Sequence, residues 1–284
     1  MYWVKWVSLA LICLIILLAK DGIYIPVKVS LLGLFLVTFH YEKIYRYVDS
    51  LRCFPVPIFT LLTATAQALV FFGNYWMDGY PGDIEKYCGG CYGLLEFEPT
   101  LRFQVWRYWT TQFAHDGLLH VATNIEAQLL VGCRLERTLG TWRVALIHFT
   151  GVVAGPLLEY SLDPTFDAVG ASGAVYAIFA AFLAHVYIHW QEIRFTWWET
   201  IVTGNCVLAF FCFFVPKHAS LAGHFAGALT GFSLGAFIMG INDEHRSTRI
   251  LSKISFLIFL AFLAATVTMN IAQPPTATPL WPMH

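Results

Sequence analysis

Residues 169–176, Val169-Gly170-Ala171-Ser172-Gly173-Ala174-Val175-Tyr176, lead into a stretch with no Asp, Glu, Lys or Arg from 170 to 189. A helix crosses a bilayer with about 20 mostly apolar residues, and this stretch has that length. Comparable stretches lie at 56–76, 117–135, 140–160, 198–216, 220–241 and 254–272. Together they predict an all-α, polytopic membrane helical bundle. Two weaker segments come first. Residues 2–19 are similar to a signal anchor, because Lys20-Asp21 follows and no small-residue cleavage site is evident. Residues 24–40 are interrupted by Pro26 and Lys28, and span, lie in the interface, or pair with the first.

Composition agrees with a membrane bundle. The 284 residues are 58% hydrophobic and 12% charged, with a mean hydropathy of +0.63, whereas a soluble domain carries about 25% charge. The net charge of -1 gives no sign of nucleic-acid binding. Twenty-four Phe, 13 Tyr and 10 Trp suit anchoring at the membrane interface. Of the seven cysteines, Cys13, Cys133, Cys206 and Cys212 fall in apolar segments as packing residues. Cys88 and Cys91 form a CxxC in a polar loop, read as a disulfide or as two free thiols, and too little for a zinc site.

Basic residues orient the spans. Lys43, Arg46 and Arg52 precede the 56–76 span. Arg134, Arg137 and Arg143 surround the link near 140, and Arg246, Arg249 and Lys253 follow the 220–241 span. Alternation places all three groups on the cytosolic side. The long 77–116 segment, the Glu159–Asp167 acidic turn and the Lys217-His218 turn fall on the other side. Within the long segment, Leu101-Arg102-Phe103-Gln104-Val105-Trp106-Arg107-Tyr108-Trp109 mixes aromatic and basic residues and reads as lying at the membrane surface. The chain divides into an N-terminal hydrophobic and juxtamembrane region (1–52), a six-helix core (53–241), and a seventh helix with a Pro-rich disordered tail (242–284).

Orientation gives the polar residues a common depth. Ser172 begins one span, His224 lies a few residues into another, and His120 and Asn124 occupy the first turns of a third. All three spans enter from the non-cytosolic side. His120 and Asn124 are i and i+4 and share a helix face, as do Ser172 and Tyr176. His224 shares a face with Gly227, Ala228 and Gly231. Gly223, Gly227, Gly231 and Gly235 recur every four residues, and Gly173, Ala177 and Ala181 form a matching ridge. Small-residue ridges let membrane helices approach closely. Packing of the two would bring Ser172 to His224, the contact a serine nucleophile needs from its base.

Each feature has a plain explanation by itself. A serine in a membrane helix usually bonds to a carbonyl one turn back, a histidine near a helix end usually sits in the interface, and a glycine ridge is usually packing. The coincidence at one depth carries the reading. Gly170-Ala171-Ser172-Gly173 lacks the spacing of a GxSxG elbow. His115 and His120 do not form HExxH, and no acidic or thiol ligand joins the histidines at usable spacing for zinc.

These residues resemble the rhomboid family of intramembrane serine proteases over about 53–272. The resemblance rests on Trp106-Arg107, His115, His120 and Asn124 in a His-x4-His-x3-Asn pattern, Gly132 with Glu136-Arg137, Gly170-Ala171-Ser172-Gly173, Tyr176, and Gly223-His224 followed by Gly227 and Gly231. It is similar to the eukaryotic secretase-type branch, with six core helices and a seventh after the histidine. The apolar residues 1–40 depart from that branch, which usually begins with a soluble cytosolic region.

The resemblance implies a Ser–His dyad: Ser172 as nucleophile and His224 as general base and then acid. Tyr176 would pack on the imidazole, and His120, Asn124 and the Ser172 N–H would stabilise the oxyanion. Gly170, Gly227, Gly231 and His115 support the site. Trp106 and Arg107 are read as the loop's membrane anchor and Glu136 as part of a cytosolic-end ion-pair network. No cofactor or metal is expected. The expected partners are membrane lipid and single-pass transmembrane substrates with helix-weakening residues near their lumenal ends, growth-factor-like precursors among them. The expected location is the secretory pathway, with the site toward the lumen or exterior. Two other classes compete. One is a catalytically silent rhomboid-like protein that holds membrane clients, although silent relatives usually lack Ser or His. The other is a proton-relay transporter, which would need mid-membrane acids, and the core spans are read as having none.

Overall fold

In the computed structural model, the described residues are 55–80, 82–84, 86–91, 93–189 and 220–273. The expectations for residues 1–40, the 198–216 span and the tail beyond 273 lie outside them. From Pro57 onward the described residues form one unit. Its helices are α1 (Ile58–Met77), α2 (Arg107–Thr110), α3 (Leu118–Ala127), α4 (Cys133–Leu139), α5 (Thr141–Leu162), α6 (Ser172–Ile188), α7 (Leu221–Gly240) and α8 (Arg246–Ala272). By length and composition α1, α5, α7 and α8 can cross a membrane. A π-helical segment, Gln128–Gly132, joins α3 to α4 in one continuous run, so the predicted 117–135 span extends to Leu139.

Two further spans differ from expectation at their ends. Helix α6 has 17 residues, about 25 Å at 1.5 Å per residue, and Ser172 is its first. The helix starts there because Gly170, at φ +105°, turns the chain in a conformation that L side chains resist. Helix α8 begins at Arg246 rather than near 254. Arg246, Arg249 and Lys253 therefore ride on its first turns, with Arg249 Nη1 donating to the Asp243 and Glu244 carbonyls.

Glycine sets the packing at the centre. A Cβ on Gly227 would lie 2.2 Å from the Gly173 carbonyl oxygen, one on Gly231 would lie 2.1 Å from that of Ala177, and one on Gly235 would meet Ala181. The two predicted ridges therefore lie against each other, bringing the α6 and α7 backbones together. The fourth ridge glycine, Gly223, instead faces α5, with its Cα 3.7 Å from where a Cβ on Gly155 would be. Near the α4–α5 turn, Leu135, Val144, Ile147, Ile178 and Leu234 fill the apolar core.

The other end of the bundle carries the long 77–116 loop, and here its arginines depart from the sequence reading. Phe103, Val105, Trp106 and Trp109 face outward, as an interfacial segment should. Arg102 and Arg107 are turned inward and buried. Arg107 Nη1 donates to the carbonyls of Gly93 and Glu96, each at 2.8 Å, and its Nε donates to Gln104 Oε1. Arg107 is thus a staple that folds the loop rather than a membrane anchor, while Trp106 beside it is exposed. A guanidinium presents fixed donors that suit convergent carbonyls, and this rewards burying it.

Glu136 also differs. Its carboxylate accepts from the backbone N–H groups of Phe59 and Thr60 and from the hydroxyls of Thr60 and Thr141. It caps the start of α1, where the first N–H groups lack intrahelical partners. Among the described residues no ion pair involves it. Gln128 continues this polar seam, donating to Thr63 Oγ1 at 2.6 Å and accepting from Gln67. Acids also stand within core spans read from sequence as having none, with Glu159 assigned there to the turn beyond its span. Glu126 is exposed on α3, two residues past Asn124 and so on the opposite helix face. Glu159 is buried in the last turn of α5.

Candidate active site

The approach to Ser172 is held from the long loop. Phe97 and Ala168 exchange backbone hydrogen bonds of 3.0 and 2.9 Å. Thr111 Oγ1 donates to the Ala168 carbonyl at 2.6 Å, and the Gly170 N–H donates to the Thr111 carbonyl at 3.0 Å. The segment 168–170 is thereby fixed before α6 begins. The same loop carries a short antiparallel pair, Cys88–Gly89 with His115–Asp116, closed by a Cys88–Cys91 disulfide. Of the two readings of the CxxC, the structure has the disulfide. This pairing fixes His115 immediately ahead of α3.

Three helices bring their polar side chains to this end. His120 and Asn124, on one face of α3, flank Gly170. A Cβ on Gly170 would stand 2.6 Å from His120 Cε1, 2.7 Å from its Nε2 and 3.8 Å from Asn124 Nδ2. Glycine is therefore required there for space as well as for φ. Asn124 is buried, and its Nδ2 has no hydrogen-bond partner among the described residues. Buried amide groups are normally paired, so this donor is available to a visiting acceptor. His115 is fully buried, and its ring meets His120 edge-on with centroids 5.1 Å apart.

From α7, His224 lies flat against Tyr176, with ring centroids 4.2 Å apart and planes 8° apart. Tyr176 stands one turn after Ser172 on the same face of α6, which places His224 alongside that face. The His224 Nδ1 is buried with no partner among the described residues. Ser172 opens its helix, so its N–H has no intrahelical acceptor. The His224 imidazole and the unpartnered Asn124 Nδ2 thus lie beside the start of α6, where Ser172 brings its hydroxyl and its N–H. No group of three metal-binding side chains occurs among the described residues.

Residues 102–241 match the Rhomboid domain family. The chain is 34% identical over 255 residues to a Caenorhabditis elegans protein named rhomboid-related protein 1, covering 84% of this chain and 71% of that one. This chain belongs to the rhomboid family. It is also 31% identical over 246 residues to human rhomboid-related protein 3, covering 79% of this chain and 59% of the human protein. A C. elegans protein named inactive rhomboid-related protein 2 is 25% identical over 250 residues, or 82% of this chain and 68% of that relative. The rhomboid fold, with its apolar helices, makes this an integral, multi-pass membrane protein.

Of the residues singled out from sequence, Ser172, Tyr176, His224, His120, Asn124, Gly170 and His115 gather at this rhomboid site. Gly227 and Gly231 lie below it at the α6–α7 contact. Trp106, Arg107 and Glu136 stand apart, as loop and helix-end supports. The sequence reading missed Gln112 and His148, both fully buried, whose Oε1 and Nε2 are 2.7 Å apart. His148 lay in mid-span with no neighbour to give it meaning until α5 was placed beside the loop. Thr111, which ties the approach strand, had no distinguishing sequence signal at all.

Proposed function

We propose that this rhomboid is an intramembrane serine endopeptidase that cleaves single-pass transmembrane proteins near the lumenal or extracellular end of their helix. The observation that carries the proposal is the flat Tyr176–His224 stack. It puts the one imidazole on α7 against the helix face that begins with Ser172. With Nδ1 enclosed, Nε2 is the nitrogen left for the serine.

In this reading Ser172 Oγ attacks the scissile carbonyl carbon as His224 takes its proton. The carbonyl oxygen becomes an oxyanion beside Asn124 Nδ2, His120 and the Ser172 N–H. One such donor contributes roughly 3–4 kcal/mol to the transition state. The imidazolium then protonates the leaving amine as the C–N bond breaks, and water, deprotonated by His224, releases the acyl group. Polar groups at the loop end offer that water a path that an apolar core would deny. The substrate must be extended at the bond to be cut, so helix-weakening residues favour cleavage, and the product is a released ectodomain.

A second reading has its own support. Several relatives are named inactive, including the C. elegans protein above and human inactive rhomboid protein 2, 27% identical over 197 residues. It makes this chain a client-binding protein without turnover. Co-expression of the wild type or Ser172→Ala with a tagged single-pass substrate separates the two. The protease reading expects a shed fragment from the wild type alone. Equal shedding by both forms ends that reading, and client capture without cleavage by the wild type supports the second.

A further inference from the structure

The dyad chemistry leaves a buried carboxylate near the start of α7 unused. Glu159, 1% exposed, ends α5 beside the start of α7. Its Oε2 accepts from the Gly223 N–H at 3.0 Å and from the Ser220 hydroxyl. Ser220 is the N-cap of α7, and its Oγ already accepts from the Gly223 N–H at 2.7 Å. A serine alone satisfies an N-cap. The buried carboxylate is therefore not required to end the helix, and burying it is costly unless its hydrogen bonds and the α7 dipole compensate.

What the carboxylate adds is a tie between helices at the residue before His224. Helix α5 also touches the start of α6, where a Cβ on Gly151 would lie 2.7 Å from the Gly173 carbonyl oxygen. Helix α5 thus abuts the residue after Ser172 by close packing, and the residue before His224 by a hydrogen-bonded acid. A Ser–His–Asp triad orients its imidazole through the ring. Here the corresponding restraint acts on the backbone that bears the ring.

We propose that Glu159 is a positioning residue for His224, fixing the first turn of α7 so that the imidazole meets Ser172 in register. The proposal rests on the protease reading, and its test has one arm that does not. In purified protein, Glu159→Ala is expected to lower kcat and the rate of Ser172 labelling by a fluorophosphonate about tenfold or more per folded molecule. KM should stay within about twofold. Glu159→Gln keeps an acceptor for both donors and should restore most of the labelling rate. A cap that served stability alone would lower the folded fraction and leave the labelling rate per folded molecule unchanged, which would overturn the proposal. If Glu159→Ala does not fold, Ser220→Ala removes one donor to Glu159 together with the serine cap, leaves the Gly223 N–H bonded to Glu159 alone, and carries the same comparison with a smaller expected loss. The independent arm uses the S172C/H224C pair and reads the efficiency of cross-linking between the two introduced thiols by peptide mass. Adding E159A should lower that efficiency, and an unchanged efficiency overturns the proposal. If the wild type neither labels nor cleaves, the protease reading fails by itself, while the cross-link still reports whether Glu159 sets the register.

Discussion

The aromatic planes of Tyr176 and His224 are nearly parallel, at 8°, with ring centroids 4.2 Å apart. They come from different helices, so the stack holds the side chain of one helix against the other. An aromatic pair is worth about 0.5–1.5 kcal/mol beyond its buried area. For a base that must keep one orientation through proton uptake and return, a loss of that size corresponds to a few-fold to about tenfold in rate. Tyr176→Phe is expected to retain most substrate cleavage, and Tyr176→Ala to lose about tenfold in kcat. If Tyr176→Phe were as impaired as Tyr176→Ala, the hydroxyl would matter more than the stack.

The α6–α7 contact admits no side chain at two positions. A Cβ on Gly231 would approach the Ala177 carbonyl oxygen to 2.1 Å and the Ala177 Cα to 2.4 Å, and both are backbone atoms that cannot rotate away. Overpacking of this kind costs about 1–3 kcal/mol. Gly231→Ala should lower the thermal midpoint in detergent and reduce cleavage, because the helices that separate are those bearing Ser172 and His224. Gly73 is the internal control, since nothing lies within 4 Å of where its Cβ would be. Gly73→Ala on α1 should leave both quantities near wild type.

Periodicity made this contact legible from sequence. Small residues every fourth position named both ridges, and the structure pairs Gly227 with Gly173 and Gly231 with Ala177. The gathering of His120, Asn124, Ser172 and His224 was legible for a related reason: alternating spans fix depth, and depth limits which residues can meet. Buried charge was not legible. Arg107 in an aromatic-rich loop reads as an interfacial cation, because hydropathy does not record that Gly93 and Glu96 aim carbonyls at one point. Glu136 reads as part of a cytosolic-end ion-pair network, because sequence does not reveal that the start of α1, 76 residues earlier, supplies its donors. Glu159 reads as part of an acidic turn, since α5 was expected to end at 160, one residue beyond it.

Arg107 gives a direct test of its inward orientation. Its three hydrogen bonds, to Gly93, Glu96 and Gln104, hold the loop that in turn holds the Ser172 approach through Phe97 and Thr111. Hydrogen bonds to a charged group are worth about 1.5–3 kcal/mol each, and a buried carbonyl left unpaired adds a penalty. Arg107→Ala is expected to destabilise the fold by about 3 kcal/mol or more. Arg107→Lys should recover only part of that, because an ammonium cannot reproduce the planar fork. A membrane anchor would behave otherwise: Lys would substitute fully, and the loss would appear as a loop sitting less deeply in the bilayer, with the thermal midpoint unchanged.

His115 predicts how the loop end responds to acid. It is fully buried. Burial first, and then the neighbouring His120, hold its imidazole well below the usual histidine range. The folded protein therefore keeps His115 neutral at a pH where the unfolded chain, with its ordinary value of about 6.5, binds a proton. A depressed folded value contributes stability that is complete above about 6.5 and is lost as pH falls toward the folded value. Within that window the loss approaches about 1.4 kcal/mol per pH unit for one proton. Thermal midpoints in detergent should be level from pH 8 to 7 and decline between about 6.5 and 5. His115→Phe removes the titrating group while keeping a ring between the β pair and His120, so its midpoint should decline less steeply over the same interval. A parallel decline in both proteins would place the acid sensitivity on another group.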